Sequence, residues 1–341
     1  VSAAVYAHPA RPSTTAVAVR PQPRAAVTRL AAFAGLMFAL ALGLDALADA
    51  GLRRITTSKF GSLNRVMSGA VNAAVVVNGS SRALVHYDPR VITRATGLSA
   101  YNLGMNGVLT DVQLPMLQAY LRHNTGTKLV IQNLDAFSLK ATKPGEIYDP
   151  PLYMPYLDDP DLYHGLSAID PAVWKWRHIP LYGYTVEDTR FTWARGLLAF
   201  AGVQPPEDYV DGFNPRRLSW TGDFEAFRAS LSTGLSYPTD AKAMAALEQI
   251  VDVSQAAGAK VVLVYSPEYA EAQSLVVNRR EIFAAFEALA RRRGVELWDY
   301  SDSPLGMQRN LFYNSQHLNA DGAALFSEQL AQRLALPGIT R

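Results

Sequence analysis

A run of strand-forming residues, Ala73-Ala74-Val75-Val76-Val77, stops at Asn78-Gly79-Ser80-Ser81-Arg82, and Ala83-Leu84-Val85-His86-Tyr87 then reads as a helical turn. A buried strand that runs into a small-residue turn is where open α/β sheets place their chemistry, at the carboxyl ends of the strands. This turn presents two hydroxyls, Ser80 and Ser81. The function therefore depends on whether either is a nucleophile, and on what would activate it.

The strand-to-helix pattern recurs along the chain. Residues 99–104 read as a short strand and turn leading into Met105-Asn106-Gly107. Residues 110–122 read as a helix with Pro115 in its first turns, where proline is tolerated. Residues 128–135 give a third strand. Further on come a helix at 241–257, a strand at 260–266, a helix at 279–293 and a strand at 295–300. A last helix begins near Ala320 and ends before Pro337. This alternation predicts one α/β domain over residues 73–341, with a doubly wound, mainly parallel sheet. It is interrupted at 136–238 by a stretch dense in Tyr, Trp and Pro. A structureless loop of that size is improbable, so a compact insertion with short helices is expected, the best candidates being 174–178 and 191–201. Its aromatics suit a subdomain core. Trp174 and Trp176 also suit a sugar, since such rings offer flat apolar faces with a polar handle.

Residues 1–29, rich in Ala, Pro, Thr and Arg, read as a disordered leader. Residues 30–44 are uncharged and apolar, and the span expected at 30–50 approaches the roughly 20 residues that cross a bilayer. A single-pass anchor, a signal peptide cleaved at Ala48-Asp49-Ala50 and a buried core helix all fit the run. The first two export the C-terminal domain. Arg11, Arg20, Arg24 and Arg29 before the run, against Arg53, Arg54 and Lys59 after it, mildly favour a cytoplasmic N-terminus. Residues 51–72 form a polar connector that packs as a helix. The net charge of +2 without a long basic run gives no sign of nucleic acid. The absence of Cys excludes disulfides, thiolate metal sites and a Cys nucleophile. His86, His123, His164 and His178 stand alone in unrelated settings, so neither a metal nor another cofactor is expected.

Of the six histidines, His317 alone falls in a loop beside a helix start, within Tyr313-Asn314-Ser315-Gln316-His317-Leu318-Asn319. Ser as nucleophile with His as base is a standard pairing for acyl transfer. Gly107 and Asn133 offer donors for an oxyanion. Arg82 and Asn106 are further candidates for contacting substrate, although Arg82 also suits a structural ion pair with Asp88.

In order and spacing these pieces resemble the SGNH, or GDSL-type, hydrolase superfamily. Gly79-Ser80-Ser81 occupies the place of its Gly-Asp-Ser block, which implies Ser81 as nucleophile. Asn102-Leu103-Gly104-Met105-Asn106-Gly107 is similar to its oxyanion turn, with Gly107 implied. Gln132-Asn133-Leu134-Asp135 is similar to its Gly-x-Asn-Asp block, with Asn133 implied. Asn314-Ser315-Gln316-His317 has the histidine of its Asp-x-x-His block but an amide in place of the acid. The resemblance implies a flavodoxin-like three-layer sandwich. Gly-Ser-Ser-Arg further resembles a membrane-anchored subgroup that moves or removes O-acetyl groups on surface polysaccharides, often beside a multipass membrane acyltransferase. In serine proteases an Asp-to-Asn exchange costs about 10⁴ in turnover, whereas papain-like enzymes use Asn in that role. Asn314 could therefore orient His317 itself, or Asp299 or Asp302 could supply the charge. A non-catalytic domain that binds polysaccharide or a membrane partner is the alternative. An α/β-hydrolase is disfavoured by the lack of a Gly-x-Ser-x-Gly elbow.

Overall fold

The computed structural model describes residues 23–185 and 191–336. It opens with a long apolar helix, α1 (Pro23–Leu52), about 45 Å at the helical rise. By length and composition it is able to cross a membrane. The expected disordered leader is therefore corrected at its end: residues 23–29 are helical, and 1–22 lie outside the described residues. The connector holds α2 (Ser58–Met67), whose Phe60, Leu63 and Val66 are buried.

The central domain then follows the expected alternation. In chain order it contains β1 (Val75–Asn78), α3 (Ser81–His86), α4 (Pro89–Thr96), β2 (Ala100–Asn102), α5 (Thr110–His123) and β3 (Leu129–Leu134). The stretch after β3 carries α6 (Pro160–Ile169), α7 (Val173–His178), α8 (Thr192–Phe200) and α9 (Asp223–Ser230), joined by 3₁₀ turns. The chain returns through α10 (Ala241–Ala256), β4 (Lys260–Tyr265), α11 (Ala270–Gln273), α12 (Arg279–Arg293) and β5 (Glu296–Asp299). A two-stranded hairpin, β6 (Phe312–Asn314) and β7 (His317–Leu318), precedes α13 (Ala320–Leu334).

The five-stranded sheet has the order β2-β1-β3-β4-β5, and every pairing in it is parallel. Successive strand residues face opposite sides. Accordingly Val76, Val130 and Leu263 pack with Leu117, Ile250 and Phe286, on the side of α5, α10 and α12. Val75, Val77 and Val264 pack with Ile92, Phe326 and Leu330, on the side of α4 and α13. Both faces are covered, as the unbroken valine run of β1 requires. The strand order reverses between β1 and β3, and in such sheets the crevice beyond the strand ends at that point is where ligands bind.

Candidate active site

The turn after β1 is tight because two strands and a helix converge on it. A Cβ on Gly79 would sit 2.7 Å from the Ala83 Cβ and 2.9 Å from the Asn133 Cβ, so only glycine fits. Ser80 caps α3, its hydroxyl accepting the Arg82 N–H at 3.3 Å and donating to the Asp135 carboxylate at 2.6 Å. Ser81 is the first helical residue and is half-buried, facing a pocket of ≈ 260 Å³ lined also by Gly107, Val108, Phe137 and Tyr237.

His317 reaches this turn from the far end of the chain. Its Nε2 lies 2.8 Å from the Ser81 hydroxyl, and its Nδ1 lies 2.9 Å from the Asn314 Oδ1. The same Oδ1 accepts the backbone N–H groups of Gln316 (3.1 Å) and His317 (3.0 Å). Those two donors fix which end of the Asn314 amide faces the ring, because an NH₂ there would meet two N–H groups. Nδ1 must then carry the proton and donate it to Asn314. The Nε2 lone pair is left pointing at the Ser81 O–H, the tautomer a general base needs.

Asn314 and His317 lie opposite each other in the β6–β7 pair, where a loop was expected. The segment is short and polar, and the hairpin is closed by the Asn314 side chain rather than by an apolar pattern. Buried His86 holds its far strand: its Nε2 accepts the Leu318 N–H at 3.0 Å, and its Nδ1 lies 3.0 Å from the Ser266 hydroxyl. Tyr313 stacks on the His317 ring at 5.3 Å between centroids.

Among the described residues no carboxylate bonds to His317. Burial first, then the Arg82 and Arg216 guanidiniums, lower its pKa to about 3. Burial and the same Arg82 charge also hold His86 well below the ordinary imidazole value. Asp299, at the end of β5, turns its carboxylate to the Ser301 N–H at 2.8 Å. Asn314, not Asp299 or Asp302, therefore occupies the position behind the histidine.

Several expected site residues are placed differently. Asn133 is fully buried, with its Oδ1 accepting the Tyr87 hydroxyl at 2.7 Å and its Nδ2 turned to Leu134 O and Asp135. It is thus committed to the core and is not an oxyanion donor. Arg82 is 1 % exposed and cannot meet substrate. It pairs with Asp135 at 3.3 Å and Glu268 at 3.8 Å, and donates to the Ser266 carbonyl. The expected Arg82–Asp88 pair is also corrected, since Asp88 caps α4 and binds Arg90 at 2.6 Å. Trp176 is packed in the core. Trp174 is exposed on α7 beside His178 and lines neither the Ser81 pocket nor the larger cleft described next.

Gly107 does lie with Ser81. Its φ of +69° and the Tyr148 ring, 2.6 Å from where a Cβ would stand, require glycine. Asn106, exposed, donates to the Tyr148 hydroxyl at 3.3 Å. On the other side of this turn opens a larger cleft of ≈ 290 Å³, walled by Tyr101, Asn106, Tyr148, Tyr209 and Arg216. Arg216, which helps depress His317, lines this cleft. Sequence reading missed it because it lies in the insertion with no motif around it. Reading also missed the Asp135–Arg82–Glu268 ion network, whose members are far apart in the chain.

The fold and site together define an α/β protein of order 2-1-3-4-5 with a Ser–His–Asn constellation at the switch point. Solved structures with a similar course include a protein described as lipolytic, of the G-D-S-L family, from Desulfitobacterium hafniense (11% identity, TM-score 0.37). Others are an aryl esterase from M. smegmatis (13%, TM-score 0.33) and Est24, a carbohydrate acetylesterase from Sinorhizobium meliloti (14%, TM-score 0.31). Each match covers 76% of this chain and 97% of the other. Superpositions this loose leave the site to be judged on its own geometry. No protein-family model matches the sequence, and no curated protein matches it.

Proposed function

We propose that the chain is an SGNH-like acyl-ester enzyme. The carrying observation is the Ser81 hydroxyl 2.8 Å from His317 Nε2, with Nδ1 held on Asn314. Ser81 attacks the acyl carbon as His317 takes its proton. The backbone N–H groups of Ser81 and Gly107 receive the oxyanion as the tetrahedral centre forms. His317 then gives the proton to the departing alcohol, leaving an acyl-Ser81 ester. Water or a sugar hydroxyl, deprotonated by His317, attacks this ester, making the enzyme an esterase or a transferase. A base lowered to about 3 is weak in the resting site. It strengthens as negative charge develops on the adjacent oxyanion, whose field favours the imidazolium.

The polar, tyrosine-lined cleft across the 104–107 turn supports a carbohydrate alcohol, and O-acetyl groups of a surface polysaccharide are the substrate we favour. The long apolar helix α1 supports a single-pass anchor with the domain on the exported face. A multipass membrane acyltransferase would be a fitting partner, beside an acyl donor or an O-acetylated polysaccharide as substrate. Purified full chain should hydrolyse an aryl acetate and label with a fluorophosphonate, and Ser81→Ala should lose both, the turnover by at least ~10³-fold. Equal turnover by an active wild type and Ser81→Ala would sink the assignment.

The missing carboxylate favours a second reading, a non-catalytic domain that binds polysaccharide or a membrane partner. Glycan binding without fluorophosphonate labelling of Ser81 would select it.

A further inference from the structure

The last turns of α1 are built into the domain rather than leading to it. Ala48 and Leu52 are fully buried. Here α1 meets α8 with no room for side chains: a Cβ on Gly51 would lie 1.7 Å from the Gly196 carbonyl oxygen, and one on Gly196 2.3 Å from that of Ala48. The Asp45 carboxylate accepts the Leu181 N–H at 2.8 Å, and the Asp49 carboxylate accepts the Tyr184 hydroxyl at 2.6 Å. The insertion is thus fixed directly beyond Leu44, where the strictly apolar run of α1 ends.

The outer face of α8 and its flanks is apolar. Phe191, Leu198, Phe200 and Val203 are 41–73 % exposed, and Trp193 is 38 % exposed. Single exposed apolar residues are ordinary, but five within the thirteen residues 191–203, paired at i, i+7 as 191 with 198 and 193 with 200, make the larger apolar surface that marks a contact. Cations edge this one. Arg54 stacks on Phe200 at 4.1 Å, and Arg195 points toward the Phe60 ring at 6.0 Å. Aromatic rings with Arg at their border are the composition of a membrane–water boundary. Leu40, Leu44 and Leu47 of α1, the helix on which α8 packs, are themselves exposed.

We propose that α8 lies in the interfacial layer of the bilayer that α1 crosses, giving the insertion a second membrane contact. This rests on reading α1 as a membrane span. Arg195 of α8 also lines the ≈ 290 Å³ cleft. The cleft mouth is therefore held at headgroup level, and the ester-bearing substrate is one presented at the membrane surface.

The chain has no cysteine, so single Leu198→Cys and Val203→Cys variants carry a nitroxide without background. Full-length protein would be reconstituted in phosphatidylcholine–phosphatidylglycerol liposomes and its spin relaxation measured with oxygen and a nickel chelate. Glu287→Cys, at an exposed position of α12, is the aqueous reference. At 198 and 203 oxygen collisions should exceed chelate collisions, and at 287 the ratio should reverse. A water-like ratio at 198 and 203 in protein that floats with the liposomes overturns the proposal while keeping α1 as an anchor. Exclusion of both reagents would place a protein partner on the face and also overturns it. Protein that does not float refutes both readings. None of these readouts requires catalysis.

Discussion

Asn314 supplies part of what a triad carboxylate supplies. Its oxygen accepts from Nδ1 and two backbone N–H groups, so ring orientation and tautomer are set. The missing part is charge, and that has a measurable sign. An ordinary imidazole loses its base function below pH 6.5, whereas His317, lowered to about 3, stays deprotonated through pH 5. The acid limb of kcat/KM for an aryl acetate should therefore lie below pH 4. In Asn314→Asp a carboxylate would favour the imidazolium and move that limb upward toward neutrality. Turnover at pH 7.5 should rise about tenfold, since a charge-assisted hydrogen bond exceeds a neutral one by roughly 1.4 kcal/mol. A pH profile unmoved by the substitution would mean that the amide is not the partner of the ring. At this scale the sequence was informative where spacing is local: Gly79-Ser80-Ser81 and Asn314-x-x-His317 each fit within one turn. It misled at Asn133 and Arg82, because only the tertiary fold brings Tyr87 to one and Asp135 with Glu268 to the other.

At the level of elements, α3 is a six-residue helix with a serine at its start and a buried cation one position later. Arg82 lies against Asp135 and Glu268, with its guanidinium over the Tyr265 ring at 4.7 Å. It ties α3 to the ends of β3 and β4, so the serine turn rests on an ion network beneath the sheet edge. Breaking a buried pair strands the remaining charges, and Arg82→Met should cost about 3–5 kcal/mol in denaturant unfolding. Arg82→Met combined with Asp135→Asn should cost less than the sum of the single changes, because the carboxylate would no longer be stranded. Full additivity would refute the coupling. The long elements were readable beforehand, as α5, α10, α12 and α13 bury one face each and show the period. The β6–β7 hairpin was not, since it is held by the Asn314 side chain and by His86 from another helix.

On the scale of the molecule, the parallel order β2-β1-β3-β4-β5 followed from strand–helix alternation and the two-sided burial of β1. Within the insertion the two expected helices, 174–178 and 191–201, are present as α7 and α8, whereas the short α6 and α9 went unread; the insertion packs on α1, α2 and α5. The Gly51–Gly196 contact makes that packing testable. Gly196→Leu should force α8 off α1 and expose residues 191–203 to limited proteolysis, while the sheet core keeps its amide-exchange protection. Loss of protection throughout would mean that the insertion does not open on its own. Ser81 and His317 are 236 residues apart, and β7 follows every strand of the five-stranded sheet in the chain. A growing chain that has already released its serine, its turn and its whole apolar helix still has no histidine to activate that serine. On the proposed mechanism the hydroxyl stays inert until the β6–β7 hairpin has formed and brought His317 beside the serine turn.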